Sequence, residues 1–276
     1  MEKNLIVDIG MHKAEDTEYY LSKGFKVIAF DADPNLIKLA NIKYHEYIIK
    51  QQLILLNFAI SDIDDEDVTL YVGKKTVWNS LKSEIANRQQ NHSKDITVKT
   101  KKLSSIFDTF GVPYYCKIDI EGYDETALLS LKNSEEQPLY ISAETECLGE
   151  NDESSDPSPI ATLIALRSLG YDQFKLIDQV SLTVLNNNEK FYTDIRLFIY
   201  QIFNKLNISI GNKRRLQKSL GYKFPTGASG PFGEDLTGNW MNFEEAEKCL
   251  FKHRNDYFRL KRSKNYGFWC DWHAKK

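Results

Sequence analysis

The chain has 276 residues, 42% of them hydrophobic and 27% charged, which fits one large α/β domain with an extension. The net charge of −3 argues against generic nucleic-acid binding, which usually needs a basic face. No apolar run approaches the roughly 20 residues of a membrane span. The first residues show no signal-peptide pattern and the four cysteines form no C-x-x-C pair, so we expect a cytoplasmic protein.

The first predicted unit is a strand, a tight turn, a helix and a second strand. Leu5–Val7 is a short apolar run, and Gly10 follows it at a predicted turn. Apolar spacing predicts a helix over about residues 14–23. The second strand, Phe25–Phe30, places Asp31 at its carboxyl end. This βαβ unit, with an acid about 20 residues after the turn, has the geometry that binds a nucleoside.

Strands and helices continue to alternate, and Asp33-Pro34 is a typical helix start. The further predicted strands are Leu53–Ile60, Val68–Val72 within an inserted hairpin, Ile96–Thr100, Tyr114–Asp119, Leu139–Ala143, Phe174–Ile177 and Ile195–Tyr200. Helices are predicted near residues 34–42, 103–110, 126–131, 160–169 and 242–254, and an acidic loop over 149–159. This order predicts an α/β fold with a mostly parallel sheet and helices on both faces.

The local composition of the sequence changes after about residue 200. Residues 212–218 form a basic run, and Thr226–Gly233 is a dense small-residue stretch that serves as a lid or a plain linker. We therefore predict a ligand-binding domain over residues 1–200 and a C-terminal extension or lid over 201–276, packed on the main domain. The cysteine–histidine pairs near the C-terminus match no zinc pattern, and we expect no structural metal.

The number and spacing of glycines in the first turn indicate which nucleoside ligand it can bind. A pyrophosphate needs the pattern Gly-x-Gly-x-x-Gly, whereas here only Gly10 is present and the positions two and four residues after it are His12 and Ala14. This disfavours an NAD(P)-dependent oxidoreductase, which we keep as an alternative. S-adenosylmethionine has no phosphate and needs only one glycine. Asp8 could engage its amine, and the two carboxylate oxygens of Asp31 could accept both ribose hydroxyls.

A second group of polar residues occupies the strand Tyr114–Asp119 and its end. The period of a strand places Lys117, Asp119 and Glu121 on one face, and Glu144 ends the next strand. Asp119, Glu121, Glu144 and His12 are candidate general bases, and the same groups could instead hold a divalent cation through oxygen ligands. We favour a base over a metal. A structural ion pair, a helix cap for Glu121 and a backbone contact for His12 stay open.

These residues resemble the FkbM-type S-adenosylmethionine-dependent methyltransferases. The resemblance rests on four segments, which are Ile6–Thr17, Val27–Pro34, Asn57–Ser61 and Lys117–Gly122. It implies a class I (Rossmann-like) methyltransferase fold and methylation of a hydroxyl on a sugar, glycan or polyketide-type product. The residues that the resemblance implies for cofactor binding are Asp8, Ile9, Gly10, Met11, His12, Asp31, Ala32, Ala59, Ile60, Ser61 and Asp119. Ala14 departs from the family, which usually has glycine there.

The expected partner is a small-molecule or glycan acceptor, without nucleic acid and without a membrane span. A homodimer is left open. A nucleic-acid methyltransferase is disfavoured by the charge and by the lack of an Asn/Asp-Pro-Pro-Tyr/Phe motif. A catalytically inactive module that binds the cofactor or a partner protein is the alternative outside the enzyme classes.

Overall fold

A computed structural model of the chain describes residues 1–145, 158–188, 199, 202–203, 206, 208–259 and 269–276. The chain forms two compact units, Met1–Ile141 and Ser142–Lys276. The predicted acidic loop over 149–159 and the predicted strand Ile195–Tyr200 fall largely outside the described residues. The predicted domain boundary near residue 200 stays a prediction.

The first unit contains a parallel sheet and a smaller second sheet. Its strands are β1 (Glu2–Ile9), β2 (Lys26–Phe30), β3 (Leu53–Leu56), β4 (Ala59–Ile60), β5 (Asp67–Gly73), β6 (His92–Lys101) and β7 (Pro113–Ile118). The parallel sheet has the order β7-β1-β2-β3, with every neighbouring pair parallel. The last five residues of β1 are buried, as the central strand of a sheet covered on both faces should be.

Short helices connect these strands. They are α1 (Thr17–Ser22), α2 (Pro34–Lys43), α3 (His45–Ile49), α4 (Ser83–Ala86), α5 (Leu103–Phe110) and α6 (Asp124–Leu129). The predicted start of α2 is confirmed: the Asp33 side chain accepts a hydrogen bond from the Asn35 amide, and Pro34 takes the first helical position. Gly111, at φ +90°, ends α5 as predicted. The alternation of strand and helix therefore arises from local signals that the sequence carries.

The predicted single strand Leu53–Ile60 is wrong, because the chain divides there between two sheets. β3 pairs with β2, whereas β4 pairs with β6 in a three-stranded sheet of order β4-β6-β5. The Asn57 side chain donates to the carbonyl oxygens of Asp31 and Ala32, at 2.8 Å and 3.0 Å, and fixes the turn between β3 and β4. The predicted inserted hairpin is confirmed as the antiparallel pair β5–β6, but its connection spans residues 74–91.

The second unit is built on antiparallel strands. Its elements are the end of β8 (Tyr140–Glu144), α7 (Ser158–Ser168), β9 (Gln173–Asp178), β10 (Thr183–Leu185), α8 (Gly211–Leu220), α9 (Phe243–Arg259) and β11 (Cys270–Lys275). β9 pairs antiparallel with both β10 and β11. Trp272 is completely buried and packs edge-on against Phe174, so the aromatic end of the chain is a core strand of this unit.

The α/β fold class and the mostly parallel sheet predicted from the sequence are confirmed. Among the helices that the structure describes, none combines the length and the apolar character needed to cross a bilayer.

Candidate active site

The turn after β1 uses all of its own backbone amides. The amides of Gly10 and Met11 donate to the carbonyl oxygen of Phe30, at 3.1 Å and 2.9 Å. The remaining amides, those of His12, Lys13 and Ala14, donate to Asp31 Oδ2 at 3.0 Å, Glu15 Oε2 at 2.9 Å and the Met11 carbonyl at 2.7 Å. A loop that binds pyrophosphate points such amides at its ligand. This turn has no amide left for that purpose.

Gly10 is required by the neighbouring strand. A Cβ at Gly10 would lie 1.8 Å from the backbone oxygen of Asp119, and the residue has φ +74°. The Asp119 amide in turn donates to the Ile9 carbonyl at 3.0 Å. The close approach that selects glycine is therefore the approach of the backbone after β7. It fixes the position of Asp119 relative to the end of β1.

Two non-glycine residues of the turn have left-handed backbone conformations. His12 has φ +50° and Ala14 has φ +63°. This conformation explains why glycine would suit position 14, since a Cβ there costs about 1–2 kcal/mol. The Ala14 side chain is buried, so its methyl group recovers part of that cost by packing.

Asp31 receives two backbone amides at the end of β2. Its Oδ2 accepts from the His12 amide at 3.0 Å, and its Oδ1 accepts from the Asp33 amide at 2.8 Å. Desolvation of the carboxyl group raises its pKa to about 7, although both amide hydrogen bonds lower it. Each carboxylate oxygen can accept one further hydrogen bond. Asp31 is thus oriented in advance, with capacity for two hydroxyl donors.

Lys117, on β7, lies among three carboxylates. Its Nζ is 3.2 Å from Asp119 Oδ2, 3.8 Å from Asp8 Oδ1 and 3.8 Å from Asp16 Oδ2. The Lys117, Asp8 and Asp16 side chains are at most 4% exposed, whereas the Asp119 side chain is 25% exposed. Buried charges of this kind persist only when they are paired. Lys117 therefore pairs with acids on both sides of the first turn, and Asp119 is the most exposed member of this group.

Asp8 is oriented by its neighbours within the protein. Its Oδ2 accepts a hydrogen bond from Thr17 Oγ1 at 2.5 Å, and no exposed surface of the residue remains. Burial raises the pKa of Asp8, and the Lys117 ammonium opposes that shift. Its predicted contact with the cofactor amine stays a prediction.

His12 is held through both ring nitrogens. Nδ1 lies 3.0 Å from Glu15 Oε1, and Nε2 lies 2.8 Å from Thr76 Oγ1. Burial raises the pKa of Glu15, but the hydrogen bonds from His12 and from backbone amides outweigh burial and leave it below its usual range. An ionised Glu15 favours a proton on Nδ1. In this arrangement the imidazole connects the first turn to the segment between β5 and β6.

That segment, residues 74–91, is the part of the site that sequence reasoning missed. Its Asn79 side chain donates to Asp33 Oδ2 at 3.2 Å, and Ser80 Oγ donates to the Glu121 carbonyl at 2.8 Å. Arg88 lies 3.9 Å from the Glu121 carboxylate. Together with the Thr76 contact, these bonds hold the segment against the carboxyl ends of β1, β2 and β7. The only sequence signal was a polar loop around residues 78–80, which predicts no partner.

The other predicted cofactor residues are mainly buried. Ile9, Met11, Ile60 and Ser61 are buried, and Ala32 is partly buried. The side chain of Ala59 packs with Leu70, Val72 and Val98, with Ala32 against the same cluster. The Ser61 amide donates to the Lys101 carbonyl at 3.0 Å. The contact of these residues with adenine stays a prediction.

The two remaining acids that the sequence analysis named, Glu121 and Glu144, lie in the first and the second unit respectively. Glu121 has φ +47° and precedes Gly122 at φ +91°, so the chain turns sharply after β7. Glu144 is the last residue of β8 in the second unit, and its carbonyl accepts from Thr162 Oγ1 at 3.1 Å. The roles of Glu121 and Glu144 as bases, or as ligands of a divalent cation with Asp119, stay predictions.

A parallel sheet with an acid at the end of β2 defines an α/β protein, a class whose members commonly bind ligands at the carboxyl edge of the strands. The family model for the methyltransferase FkbM domain matches residues 8–172, more than half of the chain. The chain therefore belongs to the FkbM methyltransferase family, as the resemblance implied. No curated protein sequence matches the chain significantly.

Solved structures of low sequence identity also match. One is a SAM-dependent methyltransferase from Geobacter sulfurreducens in complex with S-adenosyl-L-homocysteine, 11% identical, with 99% of this chain and 84% of that chain covered and a TM-score of 0.39. A second, from Archaeoglobus fulgidus, is 11% identical, with coverage of 100% and 87% and a TM-score of 0.40. A third, from Thiobacillus denitrificans with the same ligand, is 11% identical, with coverage of 99% and 84% and a TM-score of 0.39.

Proposed function

We propose that the protein is an S-adenosylmethionine-dependent O-methyltransferase that acts on a hydroxyl of a sugar, glycan or polyketide-type metabolite. The observation that carries the cofactor assignment is the turn over residues 10–14, whose amides all have acceptors within the protein. A dinucleotide would find no donors for its pyrophosphate there. A cofactor without phosphate needs none.

The residues at the end of β2 fit the ribose of this cofactor. Asp31 is held by two amides and keeps one free acceptor position on each oxygen, which suits the two ribose hydroxyls. Ala32, Ala59 and Ile60, which we assign to the adenine ring, are apolar, as the face of that ring requires. When bound, the cofactor supplies an electrophilic methyl group on a sulfonium.

Asp119 is the residue that we assign to the acceptor hydroxyl. It is the exposed member of the Lys117 group, and Lys117 contacts its Oδ2. The ammonium orients the carboxylate, and Oδ1 remains available to accept the proton of an incoming hydroxyl. An alcohol is a poor nucleophile, so removal of this proton as the new bond forms is the step that needs a base. His12 and Glu121 have their own partners in the first unit and rank behind Asp119.

Calorimetry on the full-length protein tests the cofactor. We expect S-adenosylmethionine and S-adenosylhomocysteine to bind, NADH to give no heat of binding, and Asp31→Ala to weaken the first two at least tenfold. Binding of NADH without S-adenosylmethionine would refute the proposal. The cytoplasmic location and a homodimer remain predictions alongside it.

Transfer is tested separately from binding. The protein is incubated with labelled cofactor and small-molecule extracts, and the methylated product is identified by mass spectrometry. On that acceptor, Asp119→Asn should lower kcat about 10²–10⁴-fold, the usual contribution of a general base. Full activity of Asp119→Asn would remove Asp119 as the base. Cofactor binding with no transfer to any hydroxyl compound would favour the inactive cofactor-binding module.

A further inference from the structure

The second unit contains a stretch with positive charge and no negative charge. Between Asp194 and Glu234 the sequence has seven of the chain's 36 Lys and Arg residues and none of its 39 Asp and Glu residues. The chain as a whole carries a net charge of −3, so this stretch opposes the charge of the rest. An unbalanced local charge of this size creates a field that attracts polyanions.

Helix α8 displays three of these seven cations to solvent. Arg214, Arg215 and Lys218 are exposed, whereas Lys213 and Leu216 are buried. Arg214 and Lys218 are four residues apart and Arg215 and Lys218 three apart, so the three cations share one helix face. Lys223 is exposed just beyond the helix. None of these four exposed cations forms an ion pair with any residue that the structure describes.

Exposed apolar side chains immediately precede this helix. Leu206 is 62% exposed, Ile208 is 48% exposed and Ile202 is 41% exposed. Apolar side chains this exposed normally lie scattered on a surface, whereas these three fall within seven residues of sequence that end six residues before Arg214. A soluble polyanion would use the cations alone. A lipid surface uses both, because apolar side chains enter the acyl boundary while Lys and Arg meet anionic headgroups.

We propose that this surface, formed by Ile202, Leu206 and Ile208 with Arg214, Arg215, Lys218 and Lys223, binds an anionic lipid bilayer peripherally. Charge complementarity and the adjacent apolar side chains select this occupant. Nucleic acid fits less well, since an aromatic pair near the cations, Tyr222 and Phe224, packs edge-on internally and Phe224 is buried. The proposal does not depend on the methyltransferase assignment.

Vesicle co-sedimentation of the full-length protein tests the proposal. We expect binding to phosphatidylcholine vesicles that contain 30% phosphatidylglycerol, about a tenfold weaker interaction in high salt, and no binding to phosphatidylcholine alone. The variant Arg214→Glu/Arg215→Glu/Lys218→Glu should lose binding at least tenfold. The matched control Lys3→Glu/Lys94→Glu/Lys132→Glu, three exposed lysines of the first unit, makes the same change in net charge and should bind like the unmodified protein.

A second variant separates a bilayer from a soluble polyanion. Leu206→Gln/Ile208→Gln replaces two exposed side chains, so the fold is retained, and it should weaken vesicle binding at least threefold. No binding to anionic vesicles, or equal losses in the test and control triple variants, would overturn the proposal. It would also be overturned if heparin or an oligonucleotide bound through the same arginines while Leu206→Gln/Ile208→Gln left vesicle binding unchanged.

Discussion

The backbone oxygen of Asp119 lies 1.8 Å from the position that a Cβ would take at Gly10. The carboxyl ends of β1 and β7 are therefore in backbone contact, and the residue proposed as base is positioned by the turn proposed to hold the cofactor. One glycine links the two halves of the site in the first unit. Its requirement comes from the protein itself, so it would be present in the absence of any ligand.

Gly10→Ala should therefore destabilise the protein strongly. The new methyl group meets backbone at 1.8 Å, which cannot move aside without disrupting the pairing of β1 with β7, and the residue has φ +74°. Overpacking and left-handed strain together predict a loss of about 3 kcal/mol or more in the free energy of unfolding. Urea denaturation followed by circular dichroism measures it.

Gly24→Ala is the matched control for this prediction. Gly24 has φ +88° but no atom within 4 Å of its would-be Cβ, so only the backbone strain of about 1–2 kcal/mol applies. If both variants lose the same stability, the contact with Asp119 is not what selects glycine at position 10.

Lys117→Met should cost about 3–5 kcal/mol of folding stability, because it leaves buried carboxylates without their cation. Adding Asp8→Asn to that variant should recover stability, since one buried negative charge is then removed. Thermal and urea unfolding of the single and double variants measures both effects.

Lys132→Met, at an exposed lysine, is the control and should change the free energy of unfolding by less than about 0.5 kcal/mol. A loss no larger than that of this control would show that Lys117 does not stabilise the group.

The sequence predicted the elements whose signals are local. Asp33-Pro34 starts α2, Gly111 ends α5, and strand periodicity predicts that Lys117 of β7 and Asp119 directly after it lie on the same side, where their side chains are in contact. The break between β3 and β4 was not predictable from hydrophobicity, because both pieces are apolar and the side chain of Asn57 makes the turn. Likewise, the contact of His12 with Thr76 joins residues 64 positions apart, and no periodicity reports a contact of that kind.

Cofactor affinity should depend on pH through Asp31. Its pKa is about 7, raised by desolvation, and only the ionised carboxylate can accept from both ribose hydroxyls, because protonation turns one of its oxygens into a donor. Below pH 7 the free protein is protonated at Asp31 and must release that proton to bind. The affinity for S-adenosylmethionine should therefore fall up to tenfold per pH unit below 7 and level off above about pH 8.

Calorimetry between pH 5.5 and 8.5, in two buffers of different ionisation enthalpy, measures both the affinity and the proton release. Asp31→Asn supplies the control, because it removes the titrating group while the titration of the ligand itself remains. An affinity that is flat across pH 6–8 in the unmodified protein, or that rises on acidification, would contradict the assignment of Asp31 to the ribose.

Thr76→Val should loosen the segment over residues 74–91 while leaving the two sheets of the first unit intact. The substitution keeps the side-chain shape but removes the hydroxyl that lies 2.8 Å from His12 Nε2. A hydrogen bond of this type contributes about 0.5–1.5 kcal/mol, so local opening should increase about 2–12-fold. Tryptic cleavage at Lys82 and Arg88, timed by mass spectrometry, reports that opening, and urea denaturation reports the global stability.

Thr69→Val on β5, where the side chain is exposed, is the matched control and should leave the cleavage rate unchanged. Equal cleavage rates in both variants would show that His12 does not anchor the segment.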